Sequence, residues 1–83
     1  MDKQMFVAYH VALASKADMD AKRWVTALLK AGEAFIAGGK AEADAFDRMA
    51  LYDTTPEACQ CDAGKHGFPC KHRAFAHLVL RSK

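Results

Sequence analysis

The residues of this chain best suited to chemistry sit in one stretch, CQCDAGKHGFPCKH, from Cys59 to His72. It holds all three cysteines of the protein and two of its four histidines. Zinc takes four ligands in a tetrahedron and favours thiolate sulfur and imidazole nitrogen, and a structural site fills every position with protein groups. Cys59, Cys61, Cys70 and His72 would supply such a Cys3His set for Zn2+. In extended chain a one-residue spacing sends both side chains to the same face, so the C-x-C and the C-x-H pair can each converge on one ion. Gly64 and Gly67 permit the reversal between the pairs, and Pro69 fixes the approach to Cys70.

Other uses of these residues weigh less. His66 is a fifth candidate ligand inside the interval, but the C-x-H pair is better placed. The bland alternative is a polar loop with no ligand at all, which two close pairs make hard to sustain. A catalytic thiol would need a base beside it and an open cleft, and a closed four-ligand site would consume both Cys70 and His72. The reading is therefore of a protein that is no enzyme, with no catalytic residue and no small-molecule substrate.

Three cysteines are an odd number, and Cys59 and Cys61 stand too close in sequence to pair comfortably, so a disulfide framework is a poor reading. Clustered thiols with histidine suit a reducing compartment. The N-terminal stretch MDKQMFVAYHVALASKADMD lacks the layout of a signal peptide, and no apolar run is long enough to span a membrane. These features together predict a cytoplasmic protein without a membrane partner.

The elements that must hold the cluster come next. With 83 residues the chain makes one small domain, at a size where a core alone leaves stability marginal and a staple helps. Just over half of the residues are apolar, with many alanines, which favours helices. The clearest helix has Asp18 or Asp20 as its cap, Ala21, Trp24, Val25, Leu28, Gly32, Phe35 and Ile36 at helical spacing, and Gly38-Gly39 as its end. Trp24 and Phe35 read as core. Lys22, Arg23, Thr26, Lys30 and Glu33 fall elsewhere on its wheel.

Residues 4–14 leave helix and strand open: Met5, Val7, Tyr9, Val11 and Leu13 alternate, while the alanines between them lean the segment toward helix. His10, among apolar neighbours, reads as a satisfied, partly buried histidine. Residues 46–53 are equally open, with Phe46, Met49 and Ala50 on one helical side but Met49, Leu51 and Asp53 able to alternate. Thr54-Thr55-Pro56 breaks that run. From Cys70 the chain reads as a helix whose Ala74, Phe75, Leu78 and Val79 can pack on the Trp24 helix. His77 reads as a surface or capping residue. No repeat or linker argues for a second domain, so residues 1–83 form one unit, with 1–53 mainly helical and 54–83 the metal module.

The pattern C-x-C, a variable interval, then P-C-K-H and an alanine-containing helix resembles the SWIM-type zinc finger, whose motif is CxC…CxH. Here it stands as Cys59-Gln60-Cys61, an eight-residue interval, then Cys70-Lys71-His72, with Pro69 before the third cysteine. The chain is also similar to short bacterial and phage proteins carrying little beyond a helical part and this finger. The resemblance covers residues 59–81 and, loosely, 20–38. It implies a zinc module of ββα type, used to bind DNA or proteins, with Cys59, Cys61, Cys70 and His72 as ligands. The segment Asp53 to Ala58 is short and turn-like beside the strand pair such fingers carry. The expected fold is thus small α+β, mostly helical, with a helical N-terminal part packed on a ββα-like finger.

Charge points to a partner. Residues 1–58 carry seven Lys or Arg against nine acids, whereas residues 59–83 carry five against Asp62 alone, so the chain's net charge of +2 is concentrated at its C-terminal end. Arg73, His77 and Arg81 fall at i, i+4 and i+8 on the last helix, with Lys65, Lys71 and Lys83 around them. Such a stripe suits nucleic-acid phosphate. The alternative is a zinc-stabilised adaptor that presents the last helix, or an apolar surface of the first segment, to a protein.

Overall fold

The strongest amphipathic pattern forms the centre of the molecule. In a computed structural model that describes residues 2–16, 21–67 and 69–82, five helices run in order: α1 Lys3–Ser15, α2 Ala21–Ala37, α3 Gly39–Leu51, α4 Asp62–Lys65 and α5 Lys71–Arg81. Helix α2 touches α1, α3 and α5, and α5 also meets α3. Leu28 and Phe35 of α2 and Ala74, Phe75 and Leu78 of α5 are buried together, so one core runs through the helical part and the module that carries the cysteines. The result is a slab of 33 × 32 × 18 Å, about as thin as two helices packed side by side. Asp18, Asp20 and Lys83, named above as caps and as a nucleic-acid contact, lie outside the described residues, as does the side chain of Ala21.

Helix α1 settles the open reading of residues 4–14. Its N-terminus is closed by Asp2, whose carboxylate accepts from the backbone N–H of Met5 at 2.8 Å. Apolar residues lie nearly all round it, which is why alternation and helical periodicity both fit its sequence. Contact with α2 decides between them. Val7 lies against Gly32, where a Cβ would come within 2.6 Å of the valine Cγ1, so the absent side chain lets the two helices approach.

Residues 46–53 end helix α3 and turn out of it. Gly38 and Gly39 separate α2 from α3 with φ of +66° and +56°, a region that L side chains rarely adopt. Glu42 in the first turn of α3 and Arg48 in its last complement the helix dipole. Phe46 meets Phe75 edge to face at 5.1 Å between ring centroids, which ties α3 to α5.

The ββα element of the expected fold is overturned: the described residues contain no strand. The segment where a hairpin would stand spends its backbone groups on itself. Thr55 donates to the carbonyl of Ala58 at 2.8 Å, and Ala58 donates back at 3.3 Å. The Thr55 hydroxyl also accepts from the N–H groups of Glu57 and Ala58. Pro56 offers no donor, and its carbonyl accepts from the Arg73 side chain, so this segment makes a turn rather than a ladder. The fold is helical, with a cysteine-bearing loop between α3 and α5.

Candidate metal centre

Each candidate ligand is set by a local feature of the chain. Cys61 is the N-cap of α4, and its sulfur accepts from the N–H of Gly64 at 3.4 Å. Cys70 is the N-cap of α5, with its sulfur 3.5 Å from the N–H of Arg73. His72 follows in the first turn of α5. Cys59 is buried in the loop, where Gln60 donates to the carbonyl of Tyr52 at 3.2 Å and the Thr54 hydroxyl stands 3.3 Å from the Cys59 sulfur. The two pairs therefore converge through helix caps as well as extended chain. The C-x-H pair in particular is half helical, since Cys70 alone keeps extended dihedrals.

The ligand atoms of Cys59, Cys61, Cys70 and His72 all lie within 4.8 Å of one another. Around one tetrahedral ion, bonds of about 2.3 Å to sulfur and 2.0 Å to nitrogen would separate ligand atoms by roughly 3.5–3.8 Å. Cys59 Sγ and His72 Nδ1 are 3.7 Å apart. His72 Nε2 is buried with no hydrogen-bond partner among the described residues. The spacing to Cys59 places Nδ1 as the nitrogen able to take an ion, which would leave Nε2 as the protonated donor of the ring. Each of the three sulfurs also has a hydrogen-bonding group beside it, an outer shell of the kind that supports thiolate ligands. The four residues fit a metal ion.

The electrostatics of the bare cluster follow from crowding. Burial pushes the Cys70 thiol up to about 11, helped by the neighbouring Cys61 and Cys59 and opposed by the N–H of Arg73. Burial would raise Cys59 as well, but hydrogen bonds from Thr54 and from Cys61 and Cys70 outweigh it and hold this thiol below its ordinary value. The His72 imidazole is held below its usual range by burial and then by the charges of Lys71 and Arg48.

Gly64 closes the cluster from outside. A Cβ there would run into the Cys59 carbonyl, so the first turn of α4 packs directly on the backbone that carries the first ligand. Sequence reading gives Gly64 a role in chain reversal, and the structure adds this close approach. Gly67, with φ of +77°, makes the turn out of α4. His66 is exposed at the C-cap of α4 and is no member of the four-residue group.

The expected nucleic-acid stripe is divided by its surroundings. Lys71 and Arg81 are exposed, but Arg73 and His77 are half-buried. The Arg73 Nε donates to the Pro56 carbonyl at 3.1 Å, and its guanidinium lies 5.9 Å from the centre of the Trp24 ring, so this side chain bolts the cysteine loop to α2. His77 is no surface or capping residue. Its Nε2 is 3.4 Å from Nδ1 of His10, and its ring also meets Trp24 edge to face. Sequence reading missed Thr54 as a neighbour of the cluster. It also left Lys22, Arg23 and Lys30 without a role, although their place on the wheel of α2 was visible. Only the tertiary fold brings that face to the cysteines.

Compared with protein-family models, curated proteins and solved structures, the chain finds no match in any of the three. Among the described residues no helix is long and apolar enough to cross a membrane.

Proposed function

We propose that this protein is a non-enzymatic zinc-binding module that engages nucleic acid. The observation that carries the first half is the gathering of Cys59, Cys61, Cys70 and His72 within ligand reach. Three thiolates and one imidazole in a buried setting favour zinc over the hard, oxygen-seeking cations, and four protein ligands leave no open position for a substrate or an activated water. Bound there, zinc would supply a cross-link between the loop and the start of α5. The spacing of the ligands is what suggests a SWIM-type finger, here in a helical setting.

The nucleic-acid half rests on charge. Lys71 and Arg81 are exposed on α5, and Lys65 stands on α4. About three to five phosphate contacts would give a log–log salt slope of roughly −3 to −4.5 on duplex DNA, which suits weak, sequence-independent binding. One observation favours the adaptor instead: Met5, Tyr9 and Leu13 line the outer face of α1 with 60%, 53% and 48% of their surface exposed.

The test is metal analysis of reduced, freshly purified protein, followed by binding to single- and double-stranded DNA across a salt series. One zinc per chain and affinity that falls steeply with salt are expected, with Arg81→Ala weakening unrelated sequences alike. Substoichiometric zinc with native circular dichroism in chelator would remove the metal half. No DNA or RNA binding at low salt would give precedence to the adaptor.

A further inference from the structure

Beside the cysteines, α2 turns its polar face toward the start of α5. The open groove between them has a volume of about 530 Å³ and is lined by four cationic side chains, Lys22, Arg23, Lys30 and Lys71, together with Thr26. No acidic residue lines it among the described residues. Cys61, Cys70 and His72 reach the same groove from the metal side. Lys22, Thr26 and Lys30 recur at i, i+4 and i+8, so they form a straight row about 12 Å long on one side of α2. The Thr26 hydroxyl donates to the Lys22 carbonyl at 2.9 Å, which leaves this position neutral and low within the row.

We propose that this groove is the nucleic-acid phosphate site of the protein, with α2 supplying the row of cations and Lys71 the opposite wall. The proposal rests on the nucleic-acid reading above and relocates its contact from the outer stripe of α5 to the face that joins α2 to the metal centre. Charge complementarity selects a polyanion. Lys22, Lys30 and Lys71 alone outweigh the charge of about −1 that three thiolates leave on a bound divalent ion, so the groove stays positive when the metal is in place. Geometry suits a phosphate backbone, because Lys22 and Lys30, about 12 Å apart along α2, can meet separate phosphates of a strand whose charges recur about every 3.4 Å of duplex axis. Phosphate contacts position a strand without choosing its sequence. Arg73, held by Pro56 and Trp24, serves instead to fix the wall on which Lys71 stands.

The experiment compares Lys22→Gln/Lys30→Gln with Lys3→Gln/Lys40→Gln, which removes the same charge from other surfaces, and with Arg73→Ala/Arg81→Ala. Binding of a mixed-sequence DNA duplex is measured from about 50 mM salt upward, with zinc content and circular dichroism checked for each variant. The α2 pair is expected to lose at least about tenfold in affinity at about 50 mM salt and to flatten the log–log slope by about 2, with the control pair close to wild type. An α2 pair that binds like the wild type or like the control overturns the proposal. If the wild type binds and only the α5 pair loses affinity, the nucleic-acid reading stands and the groove falls. If the wild type binds no DNA or RNA, both fall. A poly-glutamate competitor that displaces duplex as effectively as DNA does would overturn the choice of nucleic acid as occupant.

Discussion

The two sides of α5 are held by different physics. Toward its middle, Ala74, Phe75 and Leu78 sit almost without solvent contact against Leu28 and Phe35, and the packing of apolar side chains suffices to place them. At its N-terminal end, the buried hydrophobic residues among those described from Tyr52 to Cys70 are two cysteines, Cys59 and Cys70. Where the described buried residues are cysteines, polar contacts and ligation take the place of apolar packing. The contrast teaches that the core defines the helices, whereas the loop depends on its polar contacts and on the four candidate ligands.

On the proposed zinc reading, removing the metal should produce the largest effect. In zinc-finger peptides the metal contributes about 10 kcal/mol or more, comparable with the whole net stability of a small domain at about 5–15 kcal/mol. Chelation, or Cys61→Ala or His72→Ala, should release the loop first, then α5, and last the α1–α2 contact. Hydrogen exchange during titration with chelator measures this order. Simultaneous loss of protection throughout would show that the two regions are one cooperative unit and break the comparison.

The same division explains what could be read in the sequence. Helix α2 was legible because its stripe from Trp24 to Phe35 is bounded by polar residues on the wheel and stopped by two glycines. The ligands were legible because a four-residue set in two close pairs is a local signal. Helix α1 was not, since a segment apolar all round satisfies both periods and only Gly32 opposite Val7 decides. The strand pair was wrongly expected because the resemblance implied it, while the turn chemistry of Thr55 and Pro56 already spoke against it. The contacts of His77 with His10 and of the α2 cations with the metal centre join distant segments, which local patterns do not report.

A pair of substitutions sharpens the comparison. Leu28→Ala leaves a cavity between α2 and α5 and should cost about 2–5 kcal/mol while the ligands keep their relative positions. Gly64→Ala should do the reverse, since its new methyl must push the Cys59 carbonyl away. Disturbing the outer shell of a site commonly lowers metal affinity by roughly tenfold to a hundredfold. Thermal melts of the zinc-loaded protein should rank Leu28→Ala as the worse, and competition with a chromogenic chelator should rank Gly64→Ala as the worse. Equal ranking in both assays would mean that core and loop are not separable.

The smallest expected effect is a dependence on pH that belongs to the core side alone. His10 on α1 and His77 on α5 share one hydrogen bond, in which one ring donates and the other accepts. Phe6 and Tyr9 pack on His10, Trp24 packs on His77, Arg81 bears on both rings, and Glu57 acts on His77 in the opposite sense. Burial first, then neighbouring positive charge, holds both imidazoles below the ordinary histidine value of 6.5. The unfolded chain therefore binds protons that the folded one refuses, and stability rises with pH across that interval. Their contribution is complete above about pH 6.5 and is lost as the pH falls through the lowered folded values. A second proton makes both rings donors and sets two cations edge to face at 5.1 Å between ring centroids, so the α1–α5 contact should open first. Because acid also protonates thiolates and releases metal, the wild type alone does not isolate this effect. His10→Asn should reduce the fall in melting temperature between pH 7.5 and pH 5.5, with zinc content unchanged at each pH. If the wild type and His10→Asn lose stability in parallel, the acid sensitivity lies wholly with the ligands, and the core side of the comparison is indifferent to pH.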